Sequence, residues 1–255
     1  MAESNGEAYV LSATHQSVTT IEFYHPQSNS LPVKLLEELA QAIHSAGNDP
    51  NAKTIILKSA GQKAFCAGAS FSELTSIKTK EKGHEFFTGF ARVINEMRKC
   101  PKFIIGRVHG RSVGGGVGLV AAMDYAIAME GADIKLSELS IGFGPFVVAP
   151  AIERKIGAAA FSYLAIDATQ WRNADWAKRK GLYAELHPDA QSMNEAVERL
   201  SFSLAHSSPE AMRELKKICW RGTEDWDQLL VSRAELSGKL AISDFTREAI
   251  AKLTR

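Results

Sequence analysis

The feature that most constrains the fold of this chain is an apolar run that leads into three consecutive glycines. Residues 103–108 (FIIGRV) are mostly apolar and branched, and they predict a buried strand. The run breaks at Gly110, the chain passes through glycines 114–116, and residues 119–122 (LVAA) predict a buried helix. The first amides of a helix lack intrahelical acceptors and lie at its positive end, and glycine lets a ligand approach them closely. We therefore expect this turn to stabilise a negative charge.

Three known glycine patterns compete with this interpretation. A dinucleotide-binding fingerprint needs a glycine at the sixth position, which counted from Gly114 is Leu119. A phosphate-binding P-loop ends in Gly-Lys-Ser/Thr, and this turn has no lysine. Residues 110–114 (GRSVG) do match the G-x-S-x-G of a nucleophile elbow, in which Ser112 would be the nucleophile. A serine hydrolase, and a glycine turn needed only for close packing, both stay open at this point.

Composition limits the classes of partner and compartment. The chain has 255 residues, of which 45% are hydrophobic, and a net charge of +1, which is typical of one large α/β domain or of a domain with a helical appendage. No basic run and no apolar stretch of roughly 18 residues occurs, so neither a nucleic acid nor a membrane is expected as a partner. The polar start at residues 1–6 does not indicate a signal peptide, and three cysteines without paired spacing indicate reduced thiols in the cytoplasm. The histidines are scattered, so no metal site is expected.

Strands and helices alternate through the first half of the chain, and a helical pattern runs from Phe146 almost to the end. Predicted strands cover residues 18–24, 54–58, 103–108, 125–129 and 134–136. Predicted helices cover residues 35–45, 71–77, 81–98, 119–122, 173–180, 193–205, 209–220, 226–240 and 245–253. The order predicts an α/β fold with a helical C-terminal part.

Taken together, these segments resemble the crotonase superfamily, the enoyl-CoA hydratases and isomerases. The resemblance covers residues 18–204 and rests on motifs in a fixed order, which are residues 26–31 (PQSNSL), 63–69 (KAFCAGA), 108–116 (VHGRSVGGG), Asp124, 138–142 (ELSIG) and 174–182 (ADWAKRKGL). It implies a spiral of ββα units formed by residues 1–190, with a helical region at 191–255 that takes part in oligomerisation as a trimer or hexamer. Trp220 and Trp226 would suit either a subunit interface or an intramolecular core.

The resemblance also implies the chemistry of the site. The substrate would be a thioester of coenzyme A, which is part of the substrate, so no separate cofactor is expected. The backbone amides of Ala69 and Gly115 would hold the thioester oxygen as an enolate forms, and Glu138 would move the proton. Apolar neighbours of Glu138 should raise the pKa of its carboxyl toward neutrality. The resemblance further implies substrate-binding roles for Lys63, Phe65, Ala67, Gly68, Gly114, Gly118, Leu136, Ile141 and Phe143.

One departure from the family pattern bears on the reaction. Hydratases of the family use two glutamates, and the position of the first is Gly118 in this chain, whereas the second is present as Glu138. A single carboxylate is typical of members that shift a 3-enoyl-CoA to the 2-enoyl-CoA, so we expect an isomerase. A hydratase, including the methylglutaconyl-CoA hydratase type, is the alternative. RNA binding, known for that type, is not expected because residues 35–45 contain no lysine. Ser70 stands where the family often has aspartate.

Overall fold

The computed structural model describes residues 6–253. Residues 1–5, which make up most of the polar start at residues 1–6, lie outside the described part, so the expectation about a signal peptide stays a prediction. Within residues 6–253, no helix combines the length and the apolar character that a membrane crossing requires.

The described chain alternates between strands and helices as predicted. The strands are β1 (Tyr9–His15), β2 (Val18–Tyr24), β3 (Thr54–Ser59), β4 (Ala64–Cys66), β5 (Ile104–Val108), β6 (Arg111–Val113), β7 (Tyr125–Met129), β8 (Ile134–Lys135) and β9 (Glu185–His187). The helices are α1 (Val33–Asn48), α2 (Phe71–Ser76), α3 (Lys80–Lys99), α4 (Gly115–Ala122), α5 (Ala149–Ile166), α6 (Ala174–Arg179), α7 (Ala190–Ala205), α8 (Pro209–Cys219), α9 (Trp226–Ala241) and α10 (Asp244–Leu253). A single 3₁₀ turn covers Glu138–Ile141.

The strands form two sheets that the chain visits alternately. The larger sheet has the order β1-β2-β3-β5-β7-β9, and the smaller has the order β4-β6-β8. Each long strand β3, β5 and β7 is followed by a short strand of the small sheet and then by a helical segment. This repetition is the predicted spiral of ββα units, and the α/β class is confirmed. All pairings are parallel except β1 with β2, so the short strands β4, β6 and β8 end at one edge of the small sheet.

Hydrophobic burial explains why the central elements form. The strands of the large sheet bury residues such as Ile21, Leu57 and Ile104 completely, and α1 and α3 pack against each other over this core. Helix α4 is apolar on every side, and seven of its eight residues are buried. A helix that is apolar all round is stable only inside a core, so the glycine turn before it is held rigidly.

Four strands, β1, β4, β6 and β9, were not predicted from the sequence, and each has a physical reason. Strand β4 has only three residues and lies within the 63–69 motif. Strand β1 is an exposed edge strand, and it joins β2 through Gln16 and Ser17, which both have positive φ (48° and 63°) without the Asn-Gly signal of such turns. Strand β6 has three residues inside the predicted glycine turn. Strand β9 also has three residues, so the prediction of unbroken helix from Phe146 is wrong there. Segments this short show no periodicity to detect.

The C-terminal helices are tied to the spiral by close contacts. Helix α9 packs along α3, and Gly238 approaches Gly83 so closely that a Cβ on either residue would meet backbone atoms within 3 Å. Trp220 and Trp226 are 5% exposed and meet edge to face within the main core, which answers the question that the sequence left open.

Helix α8 is fixed to the spiral through an aspartate that the family resemblance had singled out. The buried Lys216 Nζ lies 2.9 Å from Asp124 Oδ2, and Trp220 Nε1 donates to Asp124 Oδ1 at 2.7 Å. Asp124 Oδ2 also accepts a hydrogen bond from the amide of Ile104. Asp124 is therefore a structural anchor in this fold.

Candidate active site

The small sheet brings three separate loops to one place. Because β4, β6 and β8 run parallel, their carboxyl ends meet at the same edge. Ala69 follows the end of β4 by three residues, Gly115 follows β6 by two, and Glu138 follows β8 by three. These three residues, which are proposed for catalysis, are each more than 20 positions from the next in the sequence. They lie close together because their strands are neighbours in one parallel sheet.

Backbone contacts fix the first two loops against each other. The amide of Gly114 donates to the carbonyl of Lys135 at 2.9 Å, which ties the glycine turn to β8. Gly68 has φ +85°, and a Cβ there would lie 2.7 Å from the carbonyl oxygen of Val113 and 3.2 Å from the amide nitrogen of Gly115. Only glycine meets both the backbone conformation and the spacing. The loop before Ala69 therefore packs directly against the start of α4.

The amides of Ala69 and Gly115 have the properties that an oxyanion hole requires. Within residues 6–253, neither amide donates a hydrogen bond to a protein acceptor. Gly115 is the first residue of α4, so its amide also lies at the positive end of that helix. Both residues line one cavity. A thioester oxygen placed there would gain two fixed donors as its negative charge grows.

The cavity beside these amides is predominantly apolar. Its empty volume is about 750 Å³ including the open mouth, and its walls come from the two loops, α3, the 3₁₀ turn and the segment before α5. The lining residues are Ala67, Gly68, Ala69, Phe71, Leu74, Phe87, Phe90, Val113, Gly114, Gly115, Ser137, Glu138, Ile141, Phe143, Gly144, Pro145, Phe146, Val147, Val148 and Ser237. All of these residues belong to the described part of the chain, and among them only Glu138 has an ionisable side chain. The cavity suits an acyl chain with a single reacting polar centre.

Glu138 lies over the second loop with its carboxylate largely removed from water. Its Oε1 is 2.7 Å from the point where a Cβ of Gly114 would stand, so a side chain at position 114 would displace it. Its Oε2 is inaccessible and has no hydrogen-bond partner among the described residues. Desolvation raises the pKa of the Glu138 carboxyl to about 7, although hydrogen bonds from the amides of Glu138 and Ser137 act in the opposite direction. This shift has the direction that the sequence analysis expected.

The structure brings together most, but not all, of the residues named from the sequence. Eight of them line the cavity, which are Ala67, Gly68, Ala69, Gly114, Gly115, Glu138, Ile141 and Phe143. Leu136 and Phe65 do not: they are 1% and 0% exposed, and both pack in the hydrophobic core. Lys63 lies exposed just before β4 and outside the cavity wall.

Gly118 also lies off the cavity wall, for a specific steric reason. A Cβ at position 118 would be 2.4 Å from Val148 Cγ1, and Val148 is 4% exposed. Val148 itself lines the cavity. An apolar side chain therefore covers the position from which a second carboxylate would reach the site.

The environment of Ser112 gives no support to the hydrolase alternative. Ser112 is 0% exposed, so its hydroxyl is closed off from a substrate. A serine hydrolase would need a histidine downstream of Ser112, such as His187 or His206. His187 lies 3.2 Å from Glu185, and His206 lies 2.8 Å from the carbonyl oxygen of Phe202, so both are engaged elsewhere. A buried serine without a base does not form a nucleophile.

Several lining residues were missed at the sequence level. Phe87 and Phe90 lie on the buried face of α3, and that face covers both the core and the cavity. Ser237 reaches the cavity from α9, about a hundred positions after Glu138, so no local pattern could reveal it. No cluster of three histidine, cysteine, aspartate or glutamate side chains that could hold a metal ion occurs in residues 6–253.

This fold and site define a class of protein, and comparison with known proteins identifies the same class. The sequence model of the family described as enoyl-CoA hydratase/isomerase matches residues 13–244. The chain therefore belongs to the enoyl-CoA hydratase/isomerase family, whose members act on acyl-CoA thioesters. The crotonase-superfamily resemblance is confirmed.

Individual relatives differ in their named reaction. The chain is 28% identical over 236 residues to a short-chain-enoyl-CoA hydratase of Clostridium acetobutylicum, covering 91% of this chain and 89% of that protein. It is 26% identical over 239 residues to a peroxisomal Δ(3,5)-Δ(2,4)-dienoyl-CoA isomerase of Arabidopsis thaliana, covering 88% and 84%. The crystal structure of an enoyl-CoA hydratase from Bacillus halodurans superposes on this structure with a TM-score of 0.88. The two sequences are 21% identical, and the match covers 96% of this chain and 99% of that one, so the two proteins share the fold.

Proposed function

We propose that this protein is an enoyl-CoA isomerase that converts a 3-enoyl-CoA into the conjugated 2-enoyl-CoA with Glu138 as the only acid–base group. The observation that carries the proposal is the apolar cavity in which, among the described residues, Glu138 is the single ionisable side chain. Moving a double bond needs one group that takes a proton from one carbon and returns it to another. Adding water needs a base for the water and an acid for the carbon.

The proposed reaction uses the two loops and the turn together. The thioester oxygen accepts hydrogen bonds from the amides of Ala69 and Gly115, and Glu138 removes a proton from C2 of the substrate. The resulting dienolate carries its negative charge on the oxygen between the two amides. Glu138 then returns the proton to C4, and the double bond moves from C3–C4 to C2–C3. Losing one oxyanion donor typically costs about 2.7–4 kcal/mol of barrier stabilisation.

The pKa of Glu138 supports the two-way proton transfer. A carboxyl whose pKa is about 7 is partly ionised near neutral pH. Such a group accepts a proton from carbon more strongly than an ordinary carboxylate, and it still releases the proton in the next step. The absence of a hydrogen-bond partner on Oε2 among the described residues leaves the lone pairs of that atom uncommitted.

The position of Val148 argues against a second carboxylate of the hydratase kind. Gly118 has no side chain, and Val148 packs where one would start. With this carboxylate absent, a water molecule beside Glu138 would lack the second group that holds and activates it.

Hydration of a 2-enoyl-CoA is the second candidate, and two observations favour it. The clostridial relative is named a hydratase at 28% identity, and the hydroxyl-bearing residues Ser137 and Ser237 line the cavity beside Glu138. A water held by hydroxyl groups would need Glu138 to serve as both base and acid. The methylglutaconyl-CoA hydratase type falls under the same candidate.

A matched pair of variants tests the proposal. Glu138→Gln keeps the size of the side chain and removes the proton-accepting atom, so isomerisation should fall by about 10²–10⁴ while affinity for acetoacetyl-CoA stays within a fewfold. Glu153→Gln changes an exposed glutamate at the start of α5 and should leave both quantities unchanged. Full activity of Glu138→Gln would show that the site is assigned wrongly.

We also propose that turnover needs no added metal or nicotinamide cofactor.

We further propose that the protein assembles as a trimer or hexamer. Large apolar side chains that are more than half exposed on α5 and α8, namely Tyr163, Ile166, Leu215 and Ile218, support an association surface. Light scattering should then give three or six times the chain mass of 27.8 kDa.

A further inference from the structure

A second cavity, separate from the catalytic one, lies where strands β5 and β7 begin. The starts of these strands, α5, the C-terminal part of α7 and the end of α8 bound it, and its empty volume is about 1280 Å³ including the open mouth. Among the described residues, none lines both cavities. Phe103, Leu200 and Leu204 line the second cavity and are half-buried. Part of its wall is therefore apolar and within reach of a ligand from solvent.

Arg154 and Arg221 add positive charge to this wall. The guanidinium carbon of Arg154 lies 4.2 Å from the centroid of the buried Trp220 ring, and Arg154 Nη2 donates to the carbonyl of Cys219. The ring and the carbonyl restrict the position of the guanidinium, and this single hydrogen bond within residues 6–253 uses one of its five donors. Arg154 therefore keeps donors for a carboxylate, which a guanidinium can bind through two parallel hydrogen bonds.

Lys155 lines the same cavity from the next position of α5. Its Nζ donates to the carbonyls of Met123 and Asp124 at 2.8 Å and 3.1 Å, so one of its three donors stays unused among the described residues. Burial lowers the pKa of Lys155, although the nearby Asp124 carboxylate acts in the opposite direction. An anion beside Lys155 would offset the cost of burying its charge.

The carboxylate that lines the second cavity is already neutralised. Asp124 is the one acidic residue among the described residues of the wall. Its Oδ2 lies 2.9 Å from Lys216 Nζ, and its Oδ1 accepts a hydrogen bond from Trp220 Nε1. Within the described chain, the three cations of the wall form no ion pair with a carboxylate. The cavity therefore carries an excess of positive charge and attracts an anion.

We propose that the second cavity binds a carboxylate that carries an apolar chain, with the carboxylate at the three cations and the chain along the apolar part of the wall. A small inorganic anion would leave the apolar part in contact with water, and a neutral chain would leave the cations without a counter-charge. A ligand that is both charged and apolar matches both parts of the wall. This inference goes beyond the proposed function and does not depend on it, because the two cavities share no described residue.

Cys219 provides a local probe of binding. It lines the second cavity and is exposed, whereas Cys66 and Cys100 are buried. The rate at which the neutral reagent iodoacetamide modifies Cys219, followed by peptide mass spectrometry, should fall as hexanoate is added. The concentration of hexanoate that halves this rate should be about fivefold or more below that of acetate, inorganic phosphate or 1-hexanol, because each of these lacks either the chain or the charge.

Substitutions of the cations test the contact with the carboxylate. Arg154→Gln and Arg221→Gln should each raise the half-protecting concentration of hexanoate by about three- to tenfold. Arg221→Lys keeps the charge and should recover part of the loss. Arg213→Gln changes an exposed arginine of α8 outside the cavity wall and should have no effect. Each rate is compared with that of the same variant without hexanoate, so differences in the reactivity of the thiol itself cancel.

Several results would overturn the proposal. If hexanoate does not slow the modification, or if Cys219 does not react even without hexanoate, the cavity is not an accessible site for such an anion. Equal protection by hexanoate and inorganic phosphate would show a site for charge alone. Unchanged protection in both Arg154→Gln and Arg221→Gln would show that the arginines do not bind the carboxylate. Glu138→Gln should keep the protection, so a failure of the proposed function would leave this test unaffected.

Discussion

The buried carboxyl of Glu138 should make the folded protein less stable at alkaline pH, and removing its charge should reverse this effect. Its pKa is raised from 4.5 to about 7 by desolvation. Below pH 4.5 the carboxyl is protonated in both the folded and the unfolded chain, so it has no effect on stability. Between pH 4.5 and 7 the unfolded chain ionises while the folded chain holds its proton. The folded state therefore loses stability as pH rises through this window, and the loss is constant above it.

The size of the effect follows from the shift. One pKa unit corresponds to about 1.36 kcal/mol, so the full shift from 4.5 to about 7 has an upper limit of about 3.4 kcal/mol. The cavity is open at its mouth, and solvent screening reduces the expected value to about 1–3 kcal/mol. Glu138→Gln stays neutral at every pH. It should therefore be more stable than the wild-type protein by that amount at pH 8, and most of the difference should disappear at pH 5.

Urea unfolding of both proteins at pH 5 and pH 8 measures this difference directly. Glu153→Gln provides the comparison, because an exposed carboxylate gives no pH-dependent gain on removal. A Glu138→Gln variant that is no more stable than the wild-type protein at pH 8 would refute the desolvated carboxylate. The same result would also count against a raised pKa of Glu138 as the basis of its proton transfer.

Three further perturbations follow from the same structure. Because Glu138 must be ionised to accept a proton, kcat/KM should rise about tenfold per pH unit up to about pH 7 and then level off, and a profile that is flat from pH 5 to 8 would contradict this. Gly118→Ala should destabilise the fold by about 1–3 kcal/mol through its clash with Val148, and Val148→Ala in the same chain should relieve part of that cost in thermal unfolding. Lys216→Met should cost about 3–5 kcal/mol in urea unfolding because it leaves the buried Asp124 carboxylate without its cation, and a loss below 1 kcal/mol would show that the two hydrogen-bond donors to Asp124 suffice.

The order of elements could be predicted from the sequence because the longer elements carry strong periodic patterns. The predicted strand at residues 18–24 and the strand at 125–129 match β2 and β7 residue for residue. Strands of two or three residues, such as β6 and β9, carry no period and depend on pairing with distant strands. Such pairing depends on the whole fold, so no local sequence pattern predicts it.

The candidate site was predictable where backbone geometry restricts the residue type. The backbone at positions 68 and 114 has positive φ and close neighbours, so both positions require glycine. The sequence has glycine at both, which is why the two turns could be recognised. The orientation of a side chain is a different matter. Leu136 was expected to line the pocket around Glu138, but just after the end of β8 it packs in the core, and its neighbour Ser137 lines the cavity instead. The contact between Gly118 and Val148 joins two segments thirty positions apart, and only the folded chain reveals it.

The measurement that most directly tests the single-carboxylate mechanism compares two reactions of one preparation by the ultraviolet absorbance of the conjugated thioester. Isomerisation of a 3-enoyl-CoA raises this absorbance, and hydration of the 2-enoyl-CoA of the same chain length lowers it. With Glu138 as the only ionisable group in the described cavity, kcat/KM for isomerisation should exceed that for hydration by about 100-fold or more. A hydration rate equal to or greater than the isomerisation rate would contradict the mechanism.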